Sequence, residues 1–140
     1  MKDLMNKIDV KRVISPVSEA GTTALVGQII DKQGFESLTY VIATGAIADI
    51  DATFTVLLEE GAAANLSDAT AVADVDLLGT EALAAFIFSD DDKTRKLGYI
   101  GAKRYTRLTI TPVANASAAL VAAVAVLGHP MIAPTANPPA

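Results

Sequence analysis

Apolar and polar residues alternate with a period of two along residues 104–111, which places Leu108 and Ile110 on the same side of the chain. This period predicts a β-strand with one buried face. A turn signal at 101–103 precedes the strand, and Pro112 is expected to end it because proline cannot donate a ladder hydrogen bond. The stretch indicates a β domain.

Similar patterns predict further strands at residues 22–31, 35–44, 52–60, 75–78, 82–89, 94–99 and 119–127. Short turn-forming connections suggest that 22–31 pairs with 35–44 in one hairpin and that 82–89 pairs with 94–99 in another. Gly27, inside the first of these strands, indicates a bulge or a close approach of another backbone. About eight short strands predict an all-β, two-sheet sandwich, and a jelly roll is favoured over an immunoglobulin-like arrangement.

Two segments do not alternate. Residues 62–81 are rich in Ala and are expected to form a loop with at most two helical turns, for which Ser67 is a candidate cap. Residues 119–127 are continuously apolar, which fits a strand covered on both faces or one that lies centrally in an oligomer.

The length of 140 residues predicts one domain, with residues 18–129 as the β-sandwich. Residues 1–17 are expected to be an N-terminal arm, since Pro16 would stop any helix early, and such an arm would be frayed or ordered against a neighbouring subunit. Residues 130–140 hold most of the prolines and are expected to be an extended tail. No apolar run is long enough to cross a bilayer, so neither a membrane segment nor a secretory signal is expected.

The net charge of −5 is unevenly distributed. All 16 acidic residues lie at or before Asp92, whereas residues 93–140 carry basic residues and no acidic one. Some of these charges can pair within a sandwich, and the others would favour oriented contact with another protein. The overall acidity opposes nucleic-acid binding.

Candidate chemistry is sparse. The absence of cysteine excludes disulfides and thiolate ligands, and the lone His129 has no nucleophile motif beside it. The acidic run Ser89–Asp92 lacks the spacing of a calcium loop. Glu59 and Glu60 are adjacent on a strand and so point to opposite faces. We therefore expect no catalytic residue, no metal site, no cofactor and no enzymatic activity.

The candidate partner-binding residues are Lys103, Arg104, Tyr105 and Arg107. Tyr105 and Arg107 share one face of their strand. They are either a packing pair on a sheet surface or an anchor for a partner, since Tyr and Arg are frequent at binding hot spots.

The series GFESLTYVIATG, FTVLLEEG, LSDATAVADVDLLGTEA, DDDKTRKLGYIGAKRYTRLTIT and AAVAVLGHP resembles the capsid cement, or decoration, proteins of tailed bacteriophages and prophages. The resemblance covers roughly residues 22–130, and LGYIGAKRYTRLTIT and VAVLGHP are its most specific parts. It implies a non-enzymatic jelly-roll protein, made in the host bacterial cytoplasm, that binds the outer surface of the virion capsid and clamps neighbouring major capsid protein subunits. It also favours a dimer over a trimer.

Two other functions remain open at this point. A phage tail or baseplate structural protein uses similar β-sandwiches. A carbohydrate-binding jelly roll usually presents aromatic platforms, for which a chain with no Trp and three Tyr has little material.

Overall fold

Nearly all regular elements of the chain are β-strands, which hold 51% of the residues against 9% in helices. The computed structural model describes residues 1–139. The strands are β1 (Ile8–Glu19), β2 (Leu25–Val26), β3 (Ile30–Asp31), β4 (Phe35–Ile47), β5 (Thr53–Gly61), β6 (Thr70–Ala71), β7 (Leu77–Leu78), β8 (Phe86–Ile87), β9 (Thr94–Tyr99), β10 (Tyr105–Val113) and β11 (Ala119–Pro130). The helices are α1 (Glu81–Ala84) and the 3-10 turns Met5–Lys7, Asp74–Asp76 and Phe88–Asp90.

The strands form two antiparallel sheets. One sheet has the order β1-β11-β4-β9-β7, and the other has the order β2-β10-β5-β6, with β3 also pairing β10 and β8 pairing β5. The first strand therefore pairs with the last, β2 and β3 with the next to last, β4 with β9, and β5 with β8. These nested pairs are those of one long hairpin rolled into a sandwich, which confirms the predicted jelly roll.

The core lies between the inner faces of the two sheets. The largest side chains that are almost fully buried come from both sheets, and include Leu38, Tyr40, Phe54, Leu58, Leu97, Leu108, Ile110 and Leu127. The hydroxyl groups of Tyr40 on β4 and Thr106 on β10 meet within this core and share a hydrogen bond of 2.6 Å. Because each hydroxyl satisfies the other, both can be buried at little cost.

The prediction of an N-terminal arm over residues 1–17 is wrong. Ile8–Glu19 is a strand that pairs along its whole length with β11. Two register shifts, on either side of Ile14, break the alternation that the sequence would otherwise show. Pro16 is tolerated because β1 is an edge strand, where an amide facing outward needs no ladder partner.

The prediction of a hairpin between 22–31 and 35–44 is also wrong. The first segment forms only the short strands β2 and β3, and both pair with β10 in the opposite sheet from β4. Gly27 separates them and donates its amide to Leu108 O at 2.8 Å. A Cβ atom here would lie 2.5 Å from that oxygen, so the expected close backbone approach is present and interrupts the strand.

Residues 82–89 do not form the predicted strand. The Thr80 side chain accepts a hydrogen bond from Leu83 N and caps the short helix α1, and only Phe86–Ile87 continues as a strand. That strand pairs with β5, whereas β9 pairs with β4 and β7, so the predicted second hairpin is absent as well. An Ala-rich segment next to a capping Thr favours a helical turn over a strand.

The two ends of the described chain meet at one corner of the sandwich. Pro130 belongs to β11, and residues 131–139 form neither helix nor strand. Thr135 donates its amide to Asn6 O at 3.0 Å and its hydroxyl to Ile8 O at 2.6 Å. The tail therefore covers the backbone at the beginning of β1.

The prediction that Pro112 ends its strand is wrong, since β10 continues through Pro112 to Val113.

Leu57 and Leu58 provide a matched test of the two faces of β5, since Leu57 is 38% exposed and Leu58 is fully buried. Leu58→Ala should lower the free energy of unfolding by about 2–5 kcal/mol through lost burial and a residual cavity. Leu57→Ala should lower it by less than about 1 kcal/mol. Urea unfolding followed by circular dichroism measures both, and equal losses would contradict the assignment of faces.

The buried hydroxyl pair can be tested with a double-mutant cycle. Tyr40→Phe and Thr106→Val should each cost about 1–3 kcal/mol in free energy of unfolding, because each leaves one buried hydroxyl without a partner. The double variant leaves neither, so its loss should be clearly smaller than the sum of the two single losses. Strict additivity in urea unfolding would show that the two groups are not coupled.

Candidate interaction surfaces

Two of the predicted partner-binding residues lie on the outer face of the six-stranded sheet. Tyr105 and Arg107 are opposite Gly61 and Glu59 in the antiparallel register of β10 with β5. Arg107 donates two hydrogen bonds, of 2.8 and 3.1 Å, to one carboxylate oxygen of Glu59. The positive charge of Arg107 is therefore already balanced within the chain.

Arg104 is balanced in the same way. Its guanidinium binds both carboxylate oxygens of Asp31 at 2.8 Å and lies 5.0 Å from the centre of the Tyr105 ring. The hydrogen bond from Arg104 lowers the pKa of Asp31, and the same pair raises the pKa of Arg104. The structure thus brings Arg104 and Tyr105 together, with Arg107 on the same face of β10 as Tyr105.

Lys103 lies apart from these pairs, in the turn before β10. Its amide donates to the hydroxyl of Tyr99 at 3.0 Å, and that hydroxyl donates in turn to the carboxylate of Glu60. Burial and the neighbouring Glu60 raise the pKa of Tyr99. Glu60 thus points inward and Glu59 outward, as their adjacent positions predict. The Lys103 side chain forms no ion pair within residues 1–139.

The lone histidine has a structural setting. His129 adopts a left-handed backbone with φ of 50°, and its Nδ1 lies 2.9 Å from Ser37 Oγ.

Within residues 1–139, no three acidic or histidine side chains converge as the ligands of a metal ion would. The same residues include no helix with the length and apolar character to cross a membrane.

The outer face of the five-stranded sheet has a different character, and the sequence analysis did not identify it as a surface. We call it the apolar face and define it by the outward residues Val10, Arg12, Thr39, Val41, Ala43, Gly45, Leu78, Lys96, Gly98, Leu120, Ala122, Val124 and Val126. The only signal for it was the continuously apolar run of 119–127. That run predicted a strand covered on both faces or one that lies centrally in an oligomer. In the single chain the outward Leu120 is 46% exposed and Val124 is 36% exposed.

Glycine keeps this face smooth where larger neighbours cross it. A Cβ atom on Gly45 would lie 2.9 Å from Leu120 Cβ, and one on Gly98 would lie 2.8 Å from Leu78 Cβ. Leu120 and Leu78 therefore lie across the backbone of the neighbouring strand. A side chain at either glycine would push these leucines outward.

Clefts formed by residues 1–139 open on the apolar face, and three of them lie at its ends and at its β7 edge. One, of about 500 Å³, lies between Leu4 and Lys7 on one side and Val126 and His129 on the other. A second, of about 390 Å³, is lined by Pro16 and Leu120 among others. The third, of about 550 Å³, is lined by the following residues: Thr39, Leu78, Gly79, Leu83, Thr94, Arg95, Lys96 and Gly98. Each cleft has the size of a pocket for one or two side chains of a partner.

The central row of the apolar face runs across four strands. The antiparallel registers place Arg12 on β1 opposite Val124 on β11, Val124 opposite Val41 on β4, and Val41 opposite Lys96 on β9. With strands about 4.8 Å apart, the backbones at Arg12 and Lys96 lie about 14 Å apart with two valines between them. The Arg12 guanidinium donates to Ser15 Oγ at 2.8 Å. Neither cation forms an ion pair within residues 1–139.

The sequence matches no protein-family model and no curated protein, so the resemblance to decoration proteins rests on the residue series alone. Solved structures do share the fold. A chain of the cyanophage Pam1 capsid asymmetric unit matches with a TM-score of 0.51 and 11% identity, over 93% of this chain and 90% of that chain.

Carbohydrate-binding modules share the fold equally well. The xylan-binding module CBM15 matches with a TM-score of 0.51 and 12% identity, over 94% of this chain and 96% of that chain. The SPBc2 prophage-derived protein YomS matches with a TM-score of 0.48 and 8% identity, over 89% and 99% of the two chains. At these identities the likeness of the two structures with a TM-score of 0.51 establishes a common β-sandwich, found in a phage capsid chain and in a carbohydrate-binding module.

Stability should fall at acid pH because paired carboxylates must take up protons. Backbone amides of Ala62 and Ala63 donate to Asp68 and lower its pKa from the ordinary value of 3.8. A lowered pKa in the folded state adds stability above about pH 4 that is lost as pH falls through the folded pKa. Asp68→Asn should therefore flatten the dependence of the free energy of unfolding on pH between about 5 and 2.

The matched control is Asp51→Asn, since the carboxylate of this exposed residue accepts no hydrogen bond within residues 1–139. This variant should keep the pH dependence of the wild type. Urea unfolding at a series of pH values provides the measurement, and equal slopes for wild type and Asp68→Asn would refute the role of Asp68.

Proposed function

We propose that this chain is a decoration, or cement, protein of a tailed bacteriophage, which binds the outside of the capsid and bridges major capsid protein subunits. The observation that carries the proposal is the exposed apolar face. Four strands about 4.8 Å apart and about nine residues long give this face an area of roughly 600 Å². Aliphatic side chains occupy most of its outward positions on adjacent strands, and contiguous apolar patches are commonly binding sites.

The shared fold supports the proposal. The chain that resembles this one in the cyanophage capsid corresponds to it over nearly the whole of both lengths. The residue series that resembles decoration proteins spans most of the same β-sandwich. A chain built as a rigid sandwich with one apolar face fits a role in which the surface, and no reaction centre, performs the work.

The mechanism would be mass action. A protein that binds the assembled shell and not its separated subunits stabilises the shell by its free energy of binding. Many copies on one particle each contribute, so that contacts of moderate strength together hold neighbouring subunits. The protein would be made in the host bacterial cytoplasm and reside on the outer surface of the virion. A dimer is favoured over a trimer, as the resemblance implies.

Binding to a polysaccharide is the second candidate, because the xylan-binding module has the same fold. The aromatic side chains of this chain are placed differently from a sugar platform. Tyr40, Tyr99, Phe54 and Phe86 are buried in the core, and Tyr105 lies beside Arg104. Phe88 is 39% exposed, but it is a single ring in the 3-10 turn Phe88–Asp90. The apolar face carries aliphatic side chains, which lack the flat rings on which sugars stack.

Co-sedimentation separates these functions. Heads and tails are purified from a phage or prophage lysate in which the gene for this chain is deleted, and the full-length protein is added to each and to insoluble xylan. We expect saturable binding to heads and higher resistance of heads to heating, with no binding to tails or xylan. Binding to tails alone would indicate a tail or baseplate protein, and binding to xylan alone would indicate a carbohydrate-binding module.

A further inference from the structure

We infer that the apolar face is the docking surface of this chain, and that its partner is a capsid subunit surface that presents apolar side chains flanked by two carboxylates. The inference rests on the proposed function and deepens it, since the function alone does not say which face meets the shell. The two outer faces of the sandwich differ enough in chemistry to decide between them.

The opposite face carries more polar groups, and its charges are internally satisfied. On β5 and β10 the outward positions are rich in threonine: Thr53, Thr55, Thr109 and Thr111. The charges on this face are paired, as Glu59 with Arg107 and as Asp31 with Arg104. Exposed aliphatic residues lie among these polar groups: Val26, Leu57, Ile87 and Val113. Binding a partner there would also remove the paired charges and hydroxyl groups from water, which offsets part of the free energy gained by burying the aliphatic side chains.

Binding at the apolar face would bury mainly aliphatic side chains and would remove few polar groups from water. Its area of roughly 600 Å² approaches the about 800 Å² that each partner contributes to a standard interface. Leu78 and Leu83 extend it beyond β9 and are 57% and 72% exposed. Most of this surface is Val, Ala, Leu, Gly or Thr, whose removal from water needs few compensating polar contacts.

The face is also preorganised. Its middle strands, β11 and β4, are hydrogen-bonded on both sides within the sheet. The clefts at its ends and at its β7 edge provide places where side chains of a partner can be enclosed, which is where binding energy concentrates in interfaces. Little conformational entropy is therefore lost when this surface binds.

The positive charges on the apolar face indicate which partner binds there. In the central row, Arg12 and Lys96 flank Val124 and Val41, and the outward positions that define the face include no carboxylate. A second copy of this chain, packed face to face about a two-fold axis with central rows superposed, would place cation against cation. A partner with one carboxylate near each cation would instead neutralise both charges.

The test compares two exposed aliphatic residues on opposite faces. Val124 is 36% exposed at the centre of the apolar face, and Leu57 is 38% exposed on the outer face of β5. Val124→Asp should raise the half-saturating concentration for the gene-deleted heads by roughly 30-fold or more, as expected at the centre of an interface. Leu57→Asp should change it by less than about threefold.

A charge variant keeps the test independent of the folding of Val124→Asp. Lys96→Glu should weaken binding to the same heads by about tenfold at low salt. Added salt should weaken the binding of wild type and change that of Lys96→Glu much less. In the variant, screening removes a repulsion at position 96 together with the attraction at Arg12. Lys103→Glu, in the turn before β10, is the matched control and should bind as wild type does.

The outcomes separate the inference from the proposed function. If wild type does not bind heads, the proposed function fails. If wild type binds and Val124→Asp and Lys96→Glu bind equally well, the function stands and the docking surface is wrong. Loss of binding only in Lys103→Glu or Leu57→Asp would place the contact on the opposite face. If Val124→Asp converts an oligomer to a monomer by light scattering while head binding is unchanged, the face joins copies of this chain, which also overturns the inference.

Discussion

The pairing of β11 with β1 on one side and β4 on the other is the interaction on which the rest of the structure depends. It joins the last strand to the first and so closes the rolled hairpin. It also places the most apolar strand of the chain at the centre of its sheet. Alternate residues of β11 then enter the core, including Ala123 and Leu127, while the intervening Leu120 and Val124 remain on the surface. One side of β11 therefore contributes to the core, and its other side contributes to the apolar face.

Much of the charge asymmetry of the sequence is resolved by folding. Four of the five ion pairs within residues 1–139 join an acid at or before Asp92 to a base at or after Lys93. The antiparallel pairing of β10 with β3 and β5 produces two of these, at Arg104 and Arg107. The acidic first part and the basic last part of the chain therefore complement one another inside the molecule. A cation without an acidic partner inside the chain can be neutralised by a carboxylate of a binding partner.

Most of the long strands could be predicted from sequence because the burial of one face imposes a period of two on their residues. The predicted strands lie close to β4, β5, β9, β10 and β11, and nearly all of these have a regular alternation of buried and exposed residues. Two-residue strands such as β2 and β8 carry too few side chains to show a period. The strand β1 was missed because bulges around Ile14 shift its period and because Pro16 is permitted at an edge.

The surfaces were harder to predict than the strands. A basic cluster at 103–107 is visible in the sequence, but the acids that neutralise Arg104 and Arg107 are many residues away along the chain. The row that joins Arg12, Val124 and Lys96 depends on the registers of strands that are distant in sequence. Such a row can be recognised only when strand order is known, whereas the hydrophobicity of each strand is a local property.

The meeting of the chain ends has a consequence for engineering. The hydrogen bonds of Thr135 to Asn6 and Ile8 hold both ends at one corner, and Met5 and Pro139 line the same cleft. A short linker could therefore connect the termini, and new ends could be opened in an exposed loop without changing which strands are neighbours. A peptide fused at either end of the described residues would emerge beside β1, at the margin of the apolar face. Circular permutation offers a way to present foreign sequences from a different corner of the sandwich.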